Sequence, residues 1–174
     1  MEPGGRIHGT DPYAEPAGQR RDSRRFRGRL AATVTLWAAG TGRGRAGLTV
    51  ASTMLADGDP PRLLGLIDPL SDLADALADT GRCTVQLLAY GQQRLAERFS
   101  GQLPAPGGVF AQDDWTDTDW GPVVAGTPGW AGCRLDASTE FAWSLRIEAT
   151  VEHLVLAADA PVLGHYRGRY QRLQ

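Results

Sequence analysis

One stretch, Gly47–Ser71 (GLTVASTMLADGDPPRLLGLIDPLS), constrains this chain more than any other. It opens on a glycine followed by Leu48-Thr49-Val50-Ala51-Ser52-Thr53, a mixture of small, hydroxyl-bearing and β-branched residues. That mixture favours an extended strand whose backbone a ligand can approach closely. Asp57-Gly58-Asp59-Pro60-Pro61 reads as a turn, with glycine free to take positive φ and proline fixing φ. Leu63-Leu64-Gly65-Leu66-Ile67 is apolar enough for a strand buried on both faces. The strand stops at Asp68-Pro69, and Ser71 stands where a helix begins. Local chemistry leaves two readings open: a phosphate-binding corner served by helix N-terminal amides, or a plain hairpin leading into a helix that Ser71 caps.

The rest of the chain supplies further short elements. Ala31–Ala38 is expected as a first strand, with Val34, Leu36 and Ala38 on one face and Thr33, Thr35 and Trp37 on the other. A glycine-rich turn over 40–45 leads back into an antiparallel strand over Gly47–Leu55. Arg62–Ile67 is the third strand. Leu73, Ala74, Leu77 and Ala78 recur at helical spacing ahead of Gly81, predicting a helix from Ser71. Thr84–Leu88 is a strand, and Leu95 with Phe99 marks a short helix over Gln92–Phe99. Residues 102–119 form a long irregular loop, which in a compact domain is functional or disordered. Strands are expected at Ala131–Leu135, Ser144–His153 and Val155–Ala158, with a last short element over Tyr166–Leu173. Many short strands with Gly/Pro turns and few helices predict an all-β barrel with short helices.

Residues 1–24 are rich in Gly, Pro, Arg and Asp and carry almost no large apolar side chains, so they are expected as a flexible tail, with one domain over 25–174. Phe26 and Leu30 are expected to form the buried stripe of a short helix, and the neighbouring arginines its solvated face. The chain has 174 residues and a net charge of −2, and all 18 basic residues are arginine. That balance argues against nucleic-acid binding. With no apolar leader and no long apolar run, no membrane association is expected and the protein is placed in the cytoplasm. Cys83 and Cys133 form neither a disulfide framework nor a zinc site and are expected as buried free thiols.

Catalytic motifs are sparse. His8, His153 and His165 accompany no nucleophile elbow, and no His or Cys spacing fits a metal. Asp113, Asp114, Asp117 and Asp119 lack the spaced Gly and final Glu of a calcium loop. Gly40-x-Gly42-x-Gly44 lacks the strand–helix setting of a dinucleotide loop.

The order of the pieces carries more than any one of them. GLTV-x-S, a run ending in D-P-P, an apolar strand ending in D-x-x-S, GRCTVQLL at 81–88, AERFSG at 96–101 and YRGRY at 166–170 together resemble the flavin reductase-like family, over about residues 26–173. The resemblance implies a Greek-key-like FMN-binding split barrel, a bacterial flavoprotein and homodimer with flavin near the subunit interface. It implies an oxidoreductase in which NAD(P)H reduces FMN (or FAD), with reduced flavin passing to a partner monooxygenase. Carried over by residue, it places Thr49, Val50, Ser52 and Thr53 along the flavin ring and ribityl chain, and Asp68 and Ser71 at the ribityl and phosphate end. Thr84 and Gln86 follow on the next strand. Phe99 matches an aromatic near the flavin, and His165, Tyr166, Arg167 and Tyr170 match the closing aromatic-basic segment.

Two departures stand out. Pro69, Leu70, Asp72 and Leu73 replace basic and hydroxyl residues around Ser71, and Ala142-Trp143-Ser144 stands where the family has a Gly-Asp-His-Thr segment. Trp143 and His165 are therefore the candidates beside the nicotinamide. The departures also motivate an alternative, a split barrel that has lost catalysis and serves as a flavin-binding or scaffolding subunit. A haem or deazaflavin enzyme with His165 as axial ligand ranks below both.

Overall fold

A computed structural model describes residues 20–157 and 160–174. Its centre is a curled antiparallel sheet of seven strands in the order β3-β2-β6-β9-β10-β5-β4. These strands are β2 (Thr35–Ala39), β3 (Ala46–Val50), β4 (Thr53–Ala56), β5 (Arg62–Ile67), β6 (Arg82–Leu87), β9 (Gly129–Phe141) and β10 (Ser144–Leu156). A second sheet joins β1 (Ala32–Thr33), β11 (Val162–Tyr166) and β12 (Arg169–Leu173), and β7 (Trp115–Thr118) pairs with β8 (Gly121–Val124). Helices α1 (Arg20–Arg29), α2 (Asp72–Thr80) and α3 (Gln93–Phe99) are short. This is the all-β barrel with short helices that the strand-and-turn pattern predicts.

The stretch expected as a single strand over Gly47–Leu55 is two. β3 pairs with β2 and β4 pairs with β5, so the chain crosses from one edge of the sheet to the other at Ala51–Ser52. Ser52 makes the crossing stable: its Oγ donates to the Leu66 carbonyl (2.8 Å) and accepts from the Leu66 amide (3.2 Å). One hydroxyl thereby satisfies two backbone groups of β5.

Both faces of β2 are buried, because two apolar cores flank it. Inside the barrel Trp37, Val50, Leu63, Ile67, Ile147 and Ala149 pack with Leu73 and Leu77 of α2. Outside it, Val34 and Leu36 of the same chain segment pack with Leu95 and Phe99 of α3, Val124 and Leu163. The period-2 alternation is as expected, and a second layer covers what would otherwise be the wet face. Glycine is needed at Gly65, where a Cβ would come 2.6 Å from the indole of fully buried Trp37.

α2 begins and ends as its sequence dictates. Ser71 Oγ accepts from the Ala74 amide, and Gly81 takes φ 64° and donates its amide to the Leu77 carbonyl. β9 runs 13 residues where the pattern predicts only Ala131–Leu135, and β10 joins into one strand of 13 residues the two expected, Ser144–His153 and Val155–Ala158, with Ala158 outside the described residues; Ala142 turns the hairpin at φ 53°. The loop over 102–119 holds β7, and the last element is a hairpin of β11 and β12.

α1 starts at Arg20, so residues 20–24 of the expected tail are helical; the remainder of that tail lies outside the described residues. The buried stripe expected of Phe26 and Leu30 is not present. Their side chains are 67% and 56% exposed, because α1 lies on the barrel rim, tied through its backbone where the Arg167 amide donates to the Gly28 carbonyl (2.6 Å).

Candidate functional site

A cavity of about 610 Å³ opens between α1, β3, the end of β5 and the β9–β10 hairpin. Each wall follows from a local feature. β3 contributes Leu48, Thr49 and Val50, with Ala51 at the crossing. β5 contributes Leu66, Ile67 and then Asp68, where Pro69 ends the strand. The hairpin tip contributes Phe141 through Ser144, with Phe141 and Trp143 each about half exposed. α1 contributes Ser23, Arg24 and Arg27, and Ser100 follows α3. The volume is in the range of pockets that hold drug-sized ligands.

Thr49, Val50, Asp68 and Trp143, four of the residues singled out in the sequence, meet on this wall. The Thr49 hydroxyl donates to the Ala96 carbonyl (2.7 Å), which leaves its backbone and methyl as the lining. The Asp68 carboxylate accepts from the Leu70 amide (2.9 Å) and is exposed.

Other expected site residues lie off the wall, each for a visible reason. Ser52 is bonded to Leu66 at the strand crossing. Thr53 Oγ1 bonds Thr35 Oγ1 (2.8 Å) and accepts from Trp37 Nε1 (3.0 Å). Ser71 caps α2 and donates to the Asp68 carbonyl. Thr84 and Gln86 are fully buried: Gln86 Nε2 donates to Thr84 Oγ1 and the Pro122 carbonyl, and its Oε1 accepts from the Val124 amide (2.8 Å). Phe99 sits in the outer core, edge-on to Phe110 and tilted against Trp115. His165 lies edge-on to Tyr170, and the Arg167 guanidinium lies over the Tyr166 ring on the β11–β12 turn.

The sequence reading missed the α1 contribution. Arg24 and Arg27 are three apart and so share a helix face, but nothing local said that this face turns to a cavity. The hairpin residue Phe141 was missed for the same reason.

The chemistry available is mainly that of positioning. Among the described residues Asp68 is the one carboxylate on the wall, and no His or Cys lines it. Cys83 and Cys133 face each other across β6 and β9 in the barrel core. Their mutual hydrogen bond, reinforced by burial, holds the Cys83 thiol well above its ordinary value, so it stays protonated and inert. Among the described residues no group of His, Cys, Asp and Glu could hold a metal ion, and no helix is long and apolar enough to cross a membrane. A slot of mixed polar and apolar lining, with an aromatic hairpin on one side and guanidinium groups on another, suits a planar ring carrying an anionic tail.

Comparison with known proteins agrees with that shape. The family model described as flavin reductase like domain matches residues 27–174. The chain is 32% identical, over 72% of its length and 69% of the relative's, to the FMN reductase (NADH) RutF of Ancylobacter novellus. It is 28% identical to the reductase component of 4-hydroxyphenylacetate 3-monooxygenase from Thermus thermophilus, over 83% and 91% of the two chains. The fold matches that of nitrilotriacetate monooxygenase component B from Mycobacterium thermoresistibile, with a TM-score of 0.82, 24% identity, and coverage of 92% and 89%.

Proposed function

The chain belongs to the flavin reductase like family, and on that premise we propose that it is an NADH-dependent FMN reductase whose flavin occupies the cavity between β3, β5 and the β9–β10 hairpin. The observation that carries this reading is the cavity itself, where Leu48–Ala51, Asp68, Trp143, Arg24 and Arg27 converge. A bound flavin would supply the redox chemistry, as the acceptor of a hydride from a nicotinamide. The protein's own part is to place the two rings. Leu48–Ala51 form one wall, Asp68 is available to a ribityl hydroxyl, and Trp143 and Phe141 offer aromatic faces for stacking and exclude water from the mouth.

The departures seen in the sequence have structural counterparts that fit this reading. Trp143 stands on the hairpin tip and offers a stacking surface in place of hydrogen-bonding groups. Relatives named as monooxygenase components support a partner monooxygenase that consumes the reduced flavin. β4 leaves Met54 and Leu55 exposed on an unpaired sheet edge, which supports a homodimer formed over that edge. Dependence on a nicotinamide nucleotide supports a cytoplasmic site of action.

Titration of the purified protein with FMN, followed by flavin fluorescence and then NADH oxidation, tests the proposal. Saturable binding with turnover is the expected outcome. Binding without turnover from NADH or NADPH would favour the flavin-binding subunit, and no binding at all would remove the flavin reading. Sedimentation of the purified chain tests the dimer.

A further inference from the structure

Anionic cofactors need a positive pole, and the obvious place for one is not available here. The N-terminus of α2 follows Asp68 directly, yet Ser71 Oγ is committed to the Ala74 amide and the Asp68 carbonyl. Asp72 and Asp75 stand in the first turn of α2, where their carboxylates already complement the helix dipole and repel a further anion. Neither Ser71 nor Asp72 lines the cavity.

The positive charge is on the other side. Arg24 and Arg27 of α1 both line the cavity, together with Ser23. Several arginines of the barrel are matched to carboxylates: Arg45 with Asp117, Arg62 and Arg134 with Asp136, Arg82 with Glu152, Arg146 with Glu148, and Arg98 with Asp113. Among the described residues, no carboxylate lies within ion-pair distance of Arg27. A guanidinium on a cavity wall without a carboxylate of its own retains its planar fork for a phosphate.

We infer that Arg27, with Arg24 one turn earlier on the same helix face, is the phosphate-recognising pole of this cavity. The inference rests on the cavity holding a nucleotide, as proposed above. The phosphate has two sources, the flavin mononucleotide and the nicotinamide dinucleotide, and both present the same chemistry to a guanidinium. Arg27 acts as a specificity-determining residue: it selects the phosphorylated ligand over the same ring without its phosphate.

The test compares FMN with riboflavin, and NADH with reduced nicotinamide riboside, for binding to the full chain and to Arg27→Ala and Arg27→Lys. Arg27 is exposed on a helix, so alanine leaves the fold intact, and circular dichroism checks this. Loss of a charge-assisted bond is expected to weaken FMN roughly tenfold and to leave riboflavin unchanged, with lysine restoring part of the loss. Added salt should weaken FMN more in the parent than in Arg27→Ala. The same pattern seen for NADH against its riboside, with flavins unaffected, would support the pole and assign it to the dinucleotide.

Equal weakening of FMN and riboflavin, or no change in any of the four ligands, would overturn the inference while leaving the flavin reading standing. Failure of the parent protein to bind FMN or NADH would remove both.

Discussion

On the outer face of the barrel, Thr84 and Gln86 are sealed from solvent and bonded to each other, to the Pro122 carbonyl and to the Val124 amide. A few strands away, Asp68 and Ser144 line an open cavity beside an aromatic hairpin. Both regions are built from short polar residues on strands, so residue type does not tell them apart. The difference is whether another element lies on top. β8 covers the first set and supplies backbone partners to it, whereas among the described residues no element lies over the second. Polar side chains under a lid hold the fold together; those without one are available to a ligand.

Breaking the covered set should have the largest effect. Gln86→Leu removes the acceptor of the Val124 amide and leaves that buried donor unpaired, so stability should fall by about 2–4 kcal/mol. Chemical denaturation reads this directly, and flavin affinity of the folded fraction should be unchanged. Gly65→Ala is next. A methyl group 2.6 Å from the Trp37 ring cannot be accommodated by moving an indole that has no exposed surface, so a loss of about 1–3 kcal/mol is expected. If either variant unfolds normally and loses only ligand binding, the division between the two regions fails.

The uncovered set should respond in the opposite way. Trp143→Ala should leave the melting temperature unchanged, because the side chain stands 42% exposed on a hairpin tip. Affinity for the stacked ring should fall by about three- to tenfold, the usual worth of an aromatic contact, as measured by flavin fluorescence.

The smallest effect belongs to the outer surface of β9 and β10. Thr150 Oγ1 donates to the Asp136 carboxylate (2.7 Å), and this bond, with Arg134 and Arg62 beside it and against a small burial cost, holds Asp136 below the usual aspartate value. A carboxyl lowered on folding stabilises the protein at neutral pH, and that contribution is lost as pH falls through the lowered value. Asp136→Asn should therefore destabilise the protein slightly at neutral pH and flatten the acid limb of a melting-temperature profile.

Much of the barrel was legible because its signals are local. α2 is set by Leu73 and Leu77 on one face, Ser71 before it and Gly81 after it, and β5 by five apolar residues between prolines. What lay hidden depends on contacts distant in sequence. Gly47–Leu55 carries one continuous strand pattern, and its division depends on where Ser52 meets Leu66. Phe26 and Leu30 have helical spacing, but spacing does not say whether a core lies beneath them. The cavity was legible in part: β3 and Asp68 announced themselves by small residues and a strand end. The arginines of α1 carried no mark to separate them from a solvated face, since their role depends on the rim position of the helix.

The Ala51–Ser52 crossing leaves a consequence for mechanics. β3 and β4 are the two margins of one sheet, and they are sewn together by a dipeptide and a few side-chain hydrogen bonds, from Ser52 to Leu66 and from Thr53 to Thr35 and Trp37, where a ladder would otherwise run. The cavity takes wall from β3 on one margin and from β5, next to the other, so a molecule seated there straddles the seam. Such a molecule acts as a clasp. Its binding energy adds to the work of opening the barrel there, and the amides of Leu48 and Leu66 should lose hydrogen exchange on ligand binding while that of Val85, far inside the sheet, keeps its rate.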